Sequence, residues 1–184
     1  MPQTDLSRYQ NKAFHRGAPH WKELLWLLCS ALLFRHSLAL FNGLKIQALQ
    51  FFGAKVGTGV VIKPSVHIKF PWKLTIGDHV WIGEKVWIDN LDQVTIGGHC
   101  CLSQGAMLLC GNHNYKKVTF DLITAPITLE DGVWIGAQSL VCPGVKCGSH
   151  AVLAVKSVAT QDLEAYTIYQ GNPAVAKQVR KVEP

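Results

Sequence analysis

The chain has 184 residues, 48% of them hydrophobic and 16% charged, a composition that builds one folded unit with a core and excludes a disordered chain. Its net charge of +6 suits an anionic surface or a phosphorylated ligand, but no nucleic-acid-binding motif accompanies it, which argues against nucleic acid. The six cysteines (Cys29, Cys100, Cys101, Cys110, Cys142 and Cys147) form no C-x-x-C pair, so zinc and disulfide frameworks are poor readings and a reducing cytoplasm is the expected setting.

Residues 1–20 are polar and carry no signal-peptide pattern. The apolar run Leu24 to Phe34, closed by Arg35 and His36, is too short to span a bilayer. Between 21 and 53, Leu, Trp, Phe and Ile recur at three- and four-residue spacing, which predicts one or two helices broken near Asn42-Gly43. Residues 1–53 are therefore read as a helical extension. It packs on its own subunit or a neighbour, or it rests as an interfacial helix on the inner membrane, helped by basic residues.

From Val56 the spacing changes to six. Aliphatic residues recur at Val56, Ile62 and Ile68, then at Ile76, Ile82 and Ile88, then at Ile96, Leu102 and Leu108, and again at Leu129, Ile135, Val141, Cys147 and Leu153. Small or β-branched residues follow four positions later, as at Val60, Val80, Ala106, Ser139 and Ala151. A period of six fits neither one α-helix nor one long strand. Short strands joined by tight corners fit it, three hexads to a triangular coil, with roughly four to five coils between Val56 and Val155. The fold class is all-β, with residues 54–184 as the β-helical domain.

These hexads, with the run from Ile127 to Val145 (I-T-L-E-D-G-V-W-I-G-A-Q-S-L-V-C-P-G-V) and the later Gly171-Asn172-Pro173-Ala174, resemble the hexapeptide-repeat acyltransferases. The resemblance covers residues 54–182. The N-terminal extension, Trp72-Lys73-Leu74 and Gly111-Asn112-His113 are most similar to the colanic-acid-type exopolysaccharide O-acetyltransferases. The resemblance implies a left-handed parallel β-helix, acetyl-CoA as co-substrate, a sugar hydroxyl as acceptor, no required metal, and a homotrimer with sites between subunits.

The hexads break at full scale once, between Leu108 and Leu129, where residues 110–126 are polar and out of register. A loop thrown from a rigid prism is a natural place for a site. It holds His113, whose neutral imidazole can accept a hydroxyl proton near pH 7, and the resemblance implies this role for it. His67, His79, His99 and His150 occupy outward hexad positions and read as structural, while His15, His20 and His36 lie outside the coils.

A smaller irregularity at Asp89-Asn90-Leu91-Asp92 falls about one coil earlier. Asp89, Asn90 and Asp92 are candidate acceptor contacts, against the plainer reading of corner chemistry. Val-Trp-Ile recurs at Trp81, Trp87 and Trp134, each at an outward position, where exposed indoles mark contacts. The resemblance implies that Trp134, Gly136, Ala137, Ala154 and the Gly171-Asn172-Pro173 turn hold the pantetheine arm, and that Lys177 and Arg180 meet the nucleotide phosphates. Lys156 and Gln161 depart from the family pattern. A zinc hydratase on this fold would need further histidines, and Val118 stands where one would follow His113.

Overall fold

The computed structural model describes residues 3–11, 14–35 and 42–183. His36 lies outside them. After a short polar segment come α1 (His20–Leu33) and α2 (Asn42–Phe51). The second helix thus begins at Asn42, at the break the sequence predicts near Asn42-Gly43, and the Asn42 side chain has a task elsewhere.

The first coil is β1 (Lys55–Val56), β2 (Val61–Ile62) and β3 (His67–Ile68), and the second is β4 (Leu74–Ile76), β5 (Trp81–Ile82) and β6 (Trp87–Asp89). The third is β7 (Val94–Ile96), β8 (Cys101–Leu102) and β9 (Met107–Leu109). An antiparallel arm follows, β10 (Gly111–His113) and β11 (Leu122–Thr124). The fourth coil is β12 (Ile127–Leu129), β13 (Trp134–Ile135) and β14 (Leu140–Val141), and the fifth is β15 (Lys146–Cys147), β16 (Val152–Leu153) and β17 (Val158–Ala159). A hairpin of β18 (Thr167–Gly171) and β19 (Ala174–Val179) closes the chain.

Equivalent strands stack in parallel into three faces: β1-β4-β7-β12-β15, β2-β5-β8-β13-β16-β18, and β3-β6-β9-β14-β17. These are called the first, second and third faces. The result is a left-handed parallel β-helix of five full coils and part of a sixth, slightly longer than the hexads alone suggest.

Its interior is the hexad pattern made physical. Ile82, Ile88, Leu102, Leu108, Ile135 and Leu153 have no exposed surface, and the small positions Val80, Val86, Ala106, Val133 and Ala151 are equally covered. Each buried Ile or Leu contributes roughly 1.5–3 kcal/mol. The small positions sit where a narrow prism leaves no room for more. At one corner column His79, His99, His150 and Tyr166 take φ between 54 and 60°, a left-handed conformation that glycine takes freely and other residues take at a cost. His79 stacks on His99 at 5.2 Å and His150 on Tyr166 at 4.7 Å. These histidines are corner residues, as expected.

A stack of coils ends in strands with unpaired edges, which need covering. Helix α2 covers the first coil. Asn42 Nδ2 donates to the Val60 carbonyl at 2.9 Å and its Oδ1 accepts from Ile62 N at 2.8 Å, while buried Lys45 donates to the carbonyls of Ile62 and Lys63, each at 3.2 Å. Helix α1 is pinned beside it by Trp26, buried among Phe34 and Phe52, whose Nε1 donates to the Ile68 carbonyl at 2.9 Å. The last coil is covered by the β18–β19 hairpin.

Candidate active site

The arm β10–β11 leaves the prism after β9 and returns at β12, and β12 pairs directly with β7. Within it His113 lies opposite Leu122. Its Nδ1 is 2.9 Å from the Phe120 carbonyl oxygen, and its ring stacks on the Phe120 ring at 4.5 Å, 6° from parallel. A carbonyl only accepts, so Nδ1 carries the proton and donates it. The lone pair is therefore on Nε2, the tautomer a base needs.

His113 opens into a cleft of about 460 Å³ that Asp89, Lys69, Leu91 and Tyr9 also line. Lys69 Nζ stands 3.1 Å from Asp89 Oδ1, yet that oxygen accepts no well-aligned hydrogen bond, so we read the contact as coulombic. Gly111 sits at the cleft's edge against Leu91, where a Cβ would lie 2.5 Å from Leu91 Cδ1 and oblige that side chain to move.

One wall was not expected. The polar N-terminal segment crosses the cleft, fastened at one end by Asp5 N donating to the Val118 carbonyl at 2.9 Å. At the other end Trp72 Nε1 donates to the Arg16 carbonyl and Lys73 Nζ to the His15 carbonyl, both at 2.7 Å. Lys73 also lies 5.0 Å from the Phe14 ring, and burial, the leading influence, pushes its pKa down. Between these anchors Tyr9 reaches His113, ring centroids 5.9 Å apart. No periodicity announces such a strap.

The three polar candidates of the smaller irregularity separate. Asp89 lines the cleft. Asn90 does not, and its assignment to the acceptor is corrected: it is wholly buried, its Oδ1 accepting from Lys69 N and Phe70 N and its Nδ2 donating to the carbonyls of Phe70 and Lys73. Every hydrogen-bonding capacity of its amide is spent on main chain. Asp92 is not among the residues that line the cleft; half-buried, it accepts from Gln93 N at 2.7 Å and Thr124 Oγ1 at 3.3 Å and so ties the arm's base.

Cys110, beside the arm, is buried, and burial pushes its thiol up to about 12. It stays protonated at neutral pH and offers no nucleophile. Val118, where a zinc hydratase would need a ligand, instead gives its carbonyl to the strap.

Of the residues assigned to acetyl-CoA, Gly136, Ala137, Ala154 and the Gly171-Asn172-Pro173 turn gather at a different corner, between the second and third faces, while Arg180 lies at the corner before the second face. Gly136 lies flush on the next coil, where a Cβ would sit 2.7 Å from Leu153 O and Val155 N. Lys156 N donates to the Ala137 carbonyl at 2.9 Å, and Ala154 N to the Tyr169 carbonyl at 2.8 Å. Gly171 N donates to Ser157 Oγ at 3.0 Å, which draws the Gly171-Asn172-Pro173 turn against the same corner. Lys156 has φ 56°, a left-handed conformation that explains why glycine suits its place. Trp134 is half exposed and donates to Ser103 Oγ at 2.9 Å; Trp81 shares its face, with Cys101 between them. Lys177 is exposed on β19. Arg180 is partly committed, since its guanidinium donates to the carbonyls of Gly132 and His150 at 2.9 and 3.1 Å. A bare backbone ledge, an exposed indole and a free lysine suit a narrow thioester arm ending in phosphates.

No family model matches the chain. It is 36% identical over 176 residues to the colanic acid biosynthesis acetyltransferase WcaF of Escherichia coli K12, covering 96% of this chain and 97% of that one. It is 26% identical over 123 residues to the galactoside O-acetyltransferase of the same organism, across 65% of this chain and 61% of that one. Among solved structures it resembles a hexapeptide-repeat-containing acetyltransferase of Vibrio cholerae complexed with acetyl coenzyme A, at a TM-score of 0.72 and 27% identity, covering 79% of this chain and 81% of that one.

Proposed function

The chain belongs to the hexapeptide-repeat acetyltransferases, in the company of the colanic acid biosynthesis enzymes, and is an acetyl-CoA-dependent O-acetyltransferase; on that premise we propose that it acetylates a sugar hydroxyl of an exopolysaccharide precursor, with His113 as general base. One observation carries the reading: His113 stands in the cleft with Nδ1 committed to the Phe120 carbonyl and Nε2 left basic.

Acetyl-CoA supplies the acetyl group as a thioester. His113 Nε2 takes the proton of the acceptor hydroxyl as its oxygen bonds to the acetyl carbon. The resulting imidazolium keeps its Phe120 hydrogen bond and returns the proton to sulfur as the carbon–sulfur bond breaks. Backbone N–H groups steady the charge that develops on the acetyl oxygen. Asp89 faces the same cleft and orients the acceptor through hydrogen bonds, its carboxylate held against Lys69.

The cofactor corner and the His113 arm lie at different corners of one chain. A homotrimer that sets one subunit's Gly136 ledge against another's arm would complete the site, and Trp81 and Trp134 on the second face suit that contact. Sedimentation should then give three times the chain's 20.3 kDa. No described helix is long and apolar enough to cross a membrane. Helix α1 instead presents Trp21, Leu24, Leu28 and Leu32 outward, each more than 60% exposed. This stripe supports peripheral contact with a cytoplasmic membrane face.

The test is His113→Ala. Acetyl transfer to a sugar panel should fall about 10²- to 10⁴-fold, with acetyl-CoA binding by calorimetry within threefold of wild type. Transfer near the wild-type rate would remove His113 from the chemistry.

A further inference from the structure

Beside the His113 cleft a second hollow of about 200 Å³ runs between α1 and the outer surface of the third face. Both hollows are lined by Glu23, Lys69, Phe70 and Asp89. The two adjoin along these residues, where Lys69 meets Asp89, and we take them together as one groove.

The far end is walled by Trp87, His67 and Arg35. His67 and Trp87 are direct cross-strand partners, ring centroids 6.3 Å apart, and Trp87 keeps 48% of its surface exposed. Desolvation, and after it the nearby Arg35 charge, lowers the His67 pKa. His67 is therefore a neutral imidazole near pH 7, a hydrogen-bonding group and not a cation. Glu23 already holds Arg16 through two short contacts of 2.7 and 2.8 Å. Asp89 faces Lys69. Arg35 forms no ion pair among the described residues.

This assortment has a chemical reading. A flat indole face matches the C–H face of a pyranose ring. A neutral imidazole serves its hydroxyls. A guanidinium with no acid of its own fits an anionic substituent by paired hydrogen bonds. A single sugar placed at His113 would leave the hollow unused.

We propose that the groove is built for an acceptor of at least two linked sugar units: the hydroxyl to be acetylated lies at His113, the neighbouring ring on Trp87, and an anionic group on that ring against Arg35. The proposal rests on the sugar-acceptor reading and adds the acceptor's length and charge. Lys69 and Asp89, at the waist, would meet the linkage between the units.

The experiment compares kcat/KM for methyl glucoside and methyl galactoside, for cellobiose and lactose, and for the same disaccharides carrying a carboxylate or a phosphate at C6. The disaccharides should exceed the methyl glycosides, and an anionic disaccharide should exceed its neutral parent, each by about tenfold. A larger gain for carboxylate than for phosphate, or the reverse, identifies the group. Trp87→Ala should remove the advantage of the second ring and leave methyl glycoside turnover unchanged. Arg35→Ala should remove only the advantage of the charge. Methyl glycosides used as well as disaccharides would overturn the subsite while leaving the sugar-acceptor reading intact. So would equal damage to all acceptors in Trp87→Ala, since that marks a folding or subunit contact. Silence on every sugar by wild-type enzyme that still binds acetyl-CoA would instead sink the sugar-acceptor reading itself.

Discussion

Phe120 holds His113 twice, by its carbonyl 2.9 Å from Nδ1 and by its ring stacked at 4.5 Å. The first contact sets the imidazole's proton and the second its tilt. Phe120 does this from φ 50°, a left-handed conformation that costs a non-glycine residue on the order of 1 kcal/mol or more. The turn Lys117 to Asp121 imposes it, with Phe120 N donating to the Lys117 carbonyl at 3.1 Å and Asn114 N to the Asp121 carbonyl at 2.8 Å.

Phe120→Ala keeps the carbonyl and removes the stack. Such ring pairs are worth about 0.5–1.5 kcal/mol, so kcat should fall about 3- to 10-fold while KM for acetyl-CoA stays within twofold. Steady-state kinetics decide it, and an unchanged kcat would leave the stack without a catalytic part.

Asn90 predicts a change of stability without a change of specificity. Asn90→Ala strands the buried amide of Phe70, while Lys69 N keeps the Ile88 carbonyl at 3.2 Å; an unsatisfied buried group costs roughly 1–3 kcal/mol. The thermal midpoint should drop by several degrees, and the refolded enzyme's acceptor KM should stay within twofold. A raised KM with an unmoved midpoint would return Asn90 to the binding site.

Glu130 predicts the acid limb of stability. The Lys146 ammonium, 2.7 Å away, and then Ser149 lower its pKa from the usual 4.5 to about 2. The depressed value means that the charged form is favoured by folding. Its contribution is complete above about 4.5 and is lost as pH falls toward about 2. Glu130→Gln should therefore flatten the fall in thermal midpoint between pH 5 and 2, and melts of both proteins across that window provide the check. Parallel slopes would show that the pair contributes nothing.

Helix α1 predicts an interaction. Leu28→Glu with Leu32→Glu changes only outward residues, 65% and 73% exposed. The pair should cut co-flotation with vesicles rich in anionic lipid about tenfold or more, without altering transfer to a soluble sugar. Wild-type protein that does not float with such vesicles would rule out the membrane contact.

The prism was legible because its cause is local. Each hexad must return an aliphatic side chain to the axis, so Ile82, Ile88 and Leu102 announce themselves by spacing. The arm was legible only as a break. Its hairpin, which carries the His113–Leu122 pairing, depends on register that residue types alone do not declare. The strap was illegible, because Asp5 meets Val118 and Arg16 meets Trp72 across long stretches of chain. Asn90 misled for a physical reason: a polar residue in a bulge reads as surface until its burial is known, and here the bulge folds inward. Asn42 marked the start of the second helix, but its amide's service to the open edge of the first coil depends on contacts that residue type does not declare.

Because β7 pairs with β12 as regularly as with β4, the scaffold closes without help from the segment thrown out between them. Cys110 and Pro126 are in effect two ends of a socket. Segments of other lengths and sequences can be spliced there while Val94 still meets Ile127 and the coils still nest. Scaffold and chemistry are thus separable parts, and a change of acceptor asks for a new arm and strap, not a new core.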